Sequence, residues 1–402
     1  MKKFLSFLLA ALMMISVFSG CSEEKPEEVE PPKEVESEIV VSALQKTITA
    51  VVYDRGEDEP YDKKYWETLV KNFEAANEGV SVNLIFTKDA AYEVRDRILS
   101  GNSPDFVFLP ANEESGVTEA LIKDKAMLPI DDVAEGLGAI PFDNNICKPY
   151  EDGSVYLAPV FFEEKGLIYN KELLAESGFA VPATWDDFIS IAEGCKNKNY
   201  SFFTYAGAQP DEFGDIFAAA LVSAIGEEEM NKLLSYDEEA WNREEVKSFV
   251  DKIESITKLV VSGSSTKSKD DTMELLKNEK ALFVSGTSKD LEELNTEENK
   301  YDMCAYPALS GNQTKIVTFS EMYIPVEAKE PELAKDFIKF VYFDVFASSS
   351  YPSTMFAAEF ASKNAANESL SDEFCDLVVD VFKGNATSEN FAEKMLEYIK
   401  EY

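Results

Sequence analysis

The groups available for chemistry in this chain are set first by an absence. Its 402 residues contain no histidine, which removes Ser-His-Asp and Cys-His catalysis, histidine-ligated zinc and imidazole proton shuttles together. Carboxylates, lysine, tyrosine and cysteine remain. Cys147, Cys195, Cys304 and Cys375 have no CxxC pairing, so their spacing suits buried thiols or one or two disulfides and neither a metal site nor a redox motif. Paired acids about 5 to 10 Å apart would suffice for glycoside hydrolysis without histidine. The adjacent pair Glu163 and Glu164 does not meet that need, because neighbours on a strand point to opposite faces. No phosphate-cradling glycine loop is present. Acids outnumber bases 76 to 38, for a net charge of -38, and so acidic a surface repels phosphate backbones and anionic headgroups. Nucleic acid is therefore a poor partner.

The elements that must position these groups follow from hydrophobic pattern. At 45% hydrophobic and 12% aromatic residues, the chain is expected to form two or three compact domains. Lys2 and Lys3 precede an apolar run from Phe4 to Phe18, too short to cross a bilayer comfortably, and Ser19-Gly20 follow. That is the pattern of an export signal. Phe18-Ser19-Gly20-Cys21 resembles the bacterial lipobox, which implies that Cys21 is lipidated through its thiol and becomes the mature N-terminus. Ser22 to Ser37, with Pro26, Pro31 and Pro32 among glutamates, has almost nothing to bury and reads as an extended, self-repelling tether.

The folded body begins with the β-branched run Ile48 to Tyr53. Tyr65, Trp66, Leu69, Val70 and Phe73 then recur at helical spacing, and Val80 to Phe86 alternates as a strand. A second helix carries Val94, Ile98 and Leu99, and Ser103-Pro104-Asp105 leads into a buried strand, Phe106 to Leu109. Strand, helix, strand in series implies parallel pairing and an open doubly wound sheet, with ligands beyond the carboxyl ends of the strands. From Leu173 to Lys258 the chain reads mainly as helices. Thr184 is placed as an N-cap with Asp187 three residues on, and Pro331 suits the first turn of a helix.

Several segments occur in an order that resembles one family. They are Asn72 to Asn77, Val80-Ser81-Val82, Leu99 to Asp105, Leu157-Ala158-Pro159-Val160, Gly166-Leu167-Ile168-Tyr169-Asn170-Lys171 and Pro182 to Asp187. Together they look like the extracellular solute-binding proteins of bacterial carbohydrate ABC importers, the superfamily of maltose-binding protein. The resemblance implies an α/β, two-lobed periplasmic-binding-protein-like fold with a hinge and an interlobe ligand cleft. It divides the chain into a leader (1–20), a tether (21–45), a first lobe (46–160 and 305–345) and a second lobe (166–300 and 350–402). Crossovers fall near 160–166, 299–307 and 344–350.

It also implies a binder and not an enzyme. The expected protein is a lipid-anchored monomer on the extracytoplasmic face of the bacterial cell membrane, delivering a neutral mono- or oligosaccharide to permease subunits without cofactor or metal. Such a ligand calls for carboxylates, amides or arginine and for flat rings. Glu163 matches a sugar-binding glutamate of the family. Asp54 and Arg55 follow the first strand, where relatives place charged contacts, and Asn112 lies beyond another strand end. Tyr205, Gln209 and Asp211 occupy a polar stretch before a helix expected over Phe217 to Ile225. Thr287 follows the strand Ala281 to Val284, where the aromatic that relatives present is missing. Glu321, Tyr351 and Phe356 complete the set, with Trp241 as an open aromatic; Trp66 and Trp185 read as core. The rival expectations are a carboxylate-dependent surface glycosidase and a surface interaction or sensor module.

Overall fold

A computed structural model describes residues 45–401 apart from 58, 60, 111–116, 138–151, 347–354 and 357–364. The described strands form one sheet. They are β1 (Lys46–Tyr53), β2 (Val80–Thr87), β3 (Phe106–Pro110), β4 (Ala158–Asn170), β5 (Ser201–Thr204), β6 (Ala281–Thr287), β7 (Tyr301–Cys304), β8 (Lys315–Tyr323) and β9 (Met355–Phe356). Their order is β2-β1-β3-β8-β4-β6-β5, with β7 on β4 and β9 on β8. β1 runs parallel to β2 and β3, as the alternating strands and helices require. The Lys63–Ala76 and Ala90–Leu99 helices supply the two crossovers.

β4 and β8 join the two ends of the sheet. Residues 158–160 of β4 pair with 320–322 of β8, and residues 163–165 pair with 316–318 across a bulge. Beyond it, β4 turns its far half to β6 and β7. The buried apolar side chains divide accordingly. One set lies around β1, β3 and the Pro331–Phe346 helix, and the other around β5, β6 and the helices from Trp185 to Ile256. Two lobes linked by crossover strands are thus built into the pairing.

Direction of the strands puts the cleft between them. β3 is antiparallel to β8, β8 to β4 and β4 to β6, so the carboxyl ends of β1 and β3 point toward those of β5 and β6. Local sequence holds these ends in place. Thr184 and Asp187 form the expected capping box at the Trp185–Cys195 helix. Gly166 lets β7 approach β4, since a Cβ there would stand 2.2 Å from the Cys304 carbonyl oxygen. Pro331 opens its helix as read. The helix expected over Phe217 to Ile225 begins earlier, at Glu212, and this brings Glu212 and Asp215 into its first turn. Cys195, Cys304 and Cys375 are free thiols.

Candidate functional site

β4 carries the centre of the cleft. Beyond the bulge, alternation sends Glu163, Lys165 and Leu167 to one face and Glu164 to the other. Glu164 is occupied there, with both carboxylate oxygens held by Lys315 at 2.9 and 2.8 Å. Glu163 stays half-buried, and its charge acts on the Tyr61 hydroxyl and the Lys289 ammonium. The two glutamates therefore face apart, as the strand pattern predicts.

Two strand positions further on, the Lys165 ammonium meets Asp215 Oδ2 at 2.9 Å. Lys165 lies opposite Thr287 of β6 and Ile316 of β8. Lys165, Asp215 and Thr287, together with Gln209, Asp211, Glu212, Ser285 and Tyr306, line a cavity of about 410 Å³ at the carboxyl ends of β5 and β6. Of the lining set, sequence reasoning named Gln209, Asp211 and Thr287. Gln209 Oε1 accepts the Lys269 amide at 3.3 Å. Thr287 is an N-cap, its hydroxyl oxygen accepting the Asp290 amide at 3.2 Å. Lys165, Glu212 and Asp215 were missed. Their signal was present, because Glu212 and Asp215 are two acids inside an otherwise apolar helix.

On the other side of the cleft, Asp54 pairs with Lys63 at 3.0 Å and accepts the Gly56 amide. The hydrogen bond from Lys63 holds its carboxyl below the usual range. The charge of Arg55 acts on the Tyr61 hydroxyl, opposing the rise that burial causes. The loop after β1 reaches the second lobe directly, with Glu59 meeting Lys289 of the Ser288–Leu294 helix at 2.6 Å. Both side chains are more than a third exposed, so this pair adds little stability.

Two expected contacts are corrected. Trp241 is fully buried, 5.7 Å from the Phe217 ring and 5.4 Å from Phe374. Tyr205 is also core, packed on Phe382 and Phe213. Neither faces the cleft. Glu321 sits in β8 opposite Pro159 and Leu109, half-buried on the first-lobe side of the sheet. Asn112 and Tyr351 lie outside the described residues, as do Cys21 and Cys147. The side chain of Phe356 does so too; its backbone pairs with Ile316 in β9.

The cavity's electrostatics come from burial. Desolvation pushes the Glu212 carboxyl from 4.5 up to about 7, opposed by the Ala206 amide, which donates to Oε1 at 3.0 Å, and by Ser285. Asp215 is also raised by burial, with Lys165 pulling the other way. Tyr306 is held far above its ordinary value. For Glu212 the sign is definite. Between pH 4.5 and about 7 the folded protein keeps a proton that the unfolded chain has released, so this contribution to stability is complete below the window and is lost as pH rises through it. Urea midpoints measured across that range are expected to fall with rising pH, and Glu212→Gln is expected to flatten the fall. An unchanged pH slope in the variant would remove Glu212 as its source.

Comparison with known proteins places this geometry. The sequence profile of the bacterial extracellular solute-binding proteins matches residues 68–344. The multiple sugar-binding protein of Streptococcus mutans is 24% identical over 305 residues, covering 70% of each chain. The melibiose/raffinose/stachyose-binding protein MelE of Bacillus subtilis is 26% identical over 349 residues, 84% of this chain and 76% of that one. Among solved structures, the apo form of RafE from Streptococcus pneumoniae superposes with a TM-score of 0.70 at 17% identity. It covers 89% of this chain and 98% of its own.

Proposed function

The chain belongs to the bacterial extracellular solute-binding proteins, and from that premise we propose that it captures a neutral mono- or oligosaccharide and hands it to the permease of an ABC importer. The observation that carries the reading is the polar cavity of about 410 Å³ at the carboxyl ends of β5 and β6, bordered by the strand that joins the lobes. Its size falls in the range of small-molecule sites, and its carboxylates and amide suit a ligand made of hydroxyl donors. The names of the similar S. mutans and B. subtilis proteins point to the same ligand class.

Capture proceeds by closure. Only a closed state lets both lobes touch one ligand, so ligand biases a hinge equilibrium of a few kcal/mol. The hinge we assign is the paired stretch of β4 and β8. Residues 46–160 form the first lobe together with the chain from about 318 to 345. Tyr306 and Ile316 pack with the second core, so the segment 305–317 goes with the second lobe. Cys21 is the lipid anchor in this reading, residues 1–20 are the leader, and the acidic tether lets a monomeric body reach the permease. The protein performs no reaction, and ligand leaves it intact.

The test is a thermal-shift screen of the full chain against galactose, melibiose, raffinose, organic amines and acidic sugars. A ligand at 100 times its Kd is expected to add about 2.7 kcal/mol to the folded state. Chromatography after incubation should recover the sugar unaltered. Stabilisation by none of the neutral saccharides, or their cleavage, would overturn the proposal.

A further inference from the structure

Five non-glycine residues among those described have positive φ: Tyr61, Lys125, Phe161, Tyr236 and Glu279. Three of them end helices. The amide after each bonds back five residues, Ala126 to Leu121, Asp237 to Lys232 and Lys280 to Leu275. That is the left-handed stop found at helix C-termini. Tyr61 and Phe161 have no such role. Tyr61 precedes Asp62, the N-cap of the Lys63–Ala76 helix, and Phe161 sits in the β4 bulge.

A bulky ring in this backbone region costs on the order of 1–3 kcal/mol and persists where its surroundings impose it. Here the two strained residues are stacked on each other, with ring centroids 3.5 Å apart and planes at 19°. Phe161 is the anchored partner, 3% exposed and edge-on to Trp66 and Phe108. Tyr61 is the outer ring and is half-buried. Its hydroxyl is reached by the charges of Arg55, Glu292 and Glu163. These belong to the first-lobe loop, a second-lobe helix and the crossover strand. The cavity lining itself offers only Tyr306 as an aromatic, and that ring is buried.

We propose that Tyr61, backed by Phe161, is the platform that reads the apolar C–H face of one pyranose ring while neighbouring charges take its hydroxyls. This deepens the saccharide-binding reading and rests on it. The assignment makes Tyr61 a specificity-determining residue, favouring sugars with C–H groups gathered on one face.

The experiment uses the full chain with galactose, melibiose, raffinose and N,N′-diacetylchitobiose as probes, in calorimetry and saturation-transfer NMR. Tyr61→Gly removes the ring and relieves the positive φ. It is expected to weaken the best probe by about 10- to 100-fold and to abolish saturation transfer from aromatic protons to sugar C–H protons. Tyr61→Phe keeps the ring and should stay within about threefold of the parent while preserving the transfer. A Tyr61→Gly protein with parental affinity and transfer would overturn the platform alone. Binding of no probe by the parent protein would overturn the saccharide reading and this assignment with it.

Discussion

Lys165→Met is expected to lower the unfolding free energy by about 3 kcal/mol and to abolish ligand capture in the same protein. The first effect follows from what the substitution leaves behind. Asp215 is 8% exposed and its carboxylate lies 2.9 Å from the Lys165 ammonium, itself 25% exposed. Burial already raises the Asp215 carboxyl, and Lys165 is the main group opposing that rise. Without the lysine, the carboxylate must ionise unpaired in its buried position or stay protonated to higher pH. The loss should therefore grow as pH rises, because the folded state then holds a proton that the unfolded chain gives up.

Adding Asp215→Asn to Lys165→Met removes the buried charge and is expected to restore most of the stability, a coupling of about 2 kcal/mol. Capture should not return, because Lys165 lines the cavity beside Glu212 and Thr287. Urea denaturation of the parent, both singles and the double gives the cycle, and calorimetry gives the binding. Equal midpoints for parent and Lys165→Met would show that the pair is not holding the site together.

The same residues show how far the sequence carries a reader. Period-two and helical patterns placed β1, β2, β3 and the intervening helices, because each must bury a continuous apolar face. Thr184 with Asp187 was legible because a capping box is a local device whose partners lie three residues apart. The opposite orientation of Glu163 and Glu164 needed only the strand pleat.

The misassignments arise where the partner is distant in sequence. Trp241 lies in a four-residue helix bordered by acids, too short for any periodicity to reveal that Phe217 and Phe374 enclose it. Tyr205 follows a strand end, where chain direction alone does not tell core from cleft. Lys165 finds Asp215 fifty residues away, and Tyr61 finds Phe161 only through the β4 bulge, so neither pairing has a local signature. The carboxylates of Glu212 and Asp215 were the exception. Acids on the buried side of an apolar helix are costly without partners, and that anomaly could have marked the cavity.

Asp105→Ala is expected to cost about 3–5 kcal/mol of stability while leaving ligand affinity unchanged. Asp105 is 2% exposed, yet it forms no ion pair with a lysine or arginine among the described residues. Its oxygens accept three backbone amides, Thr49 at 2.8 Å, Lys329 at 2.6 Å and Glu330 at 2.9 Å. Its own amide donates to the Thr49 carbonyl at 2.8 Å. The carboxylate thus ties β1 to β3 and caps, from a distant segment, the approach to the Pro331–Phe346 helix, whose N-terminal end favours negative charge. This gives Ser103-Pro104-Asp105 a structural purpose at the amino end of β3, remote from the carboxyl ends that form the cleft. Alanine strands three donors at once, and stranded donors cost more than a made bond returns. Asp105→Asn keeps the shape but presents an NH₂ where an oxygen accepted an amide, so it should fall between parent and alanine. A lowered urea midpoint with an unchanged slope identifies loss of stability without a change in the surface exposed on unfolding. A midpoint matching the parent would mean that water replaces the carboxylate and that the first lobe does not depend on it.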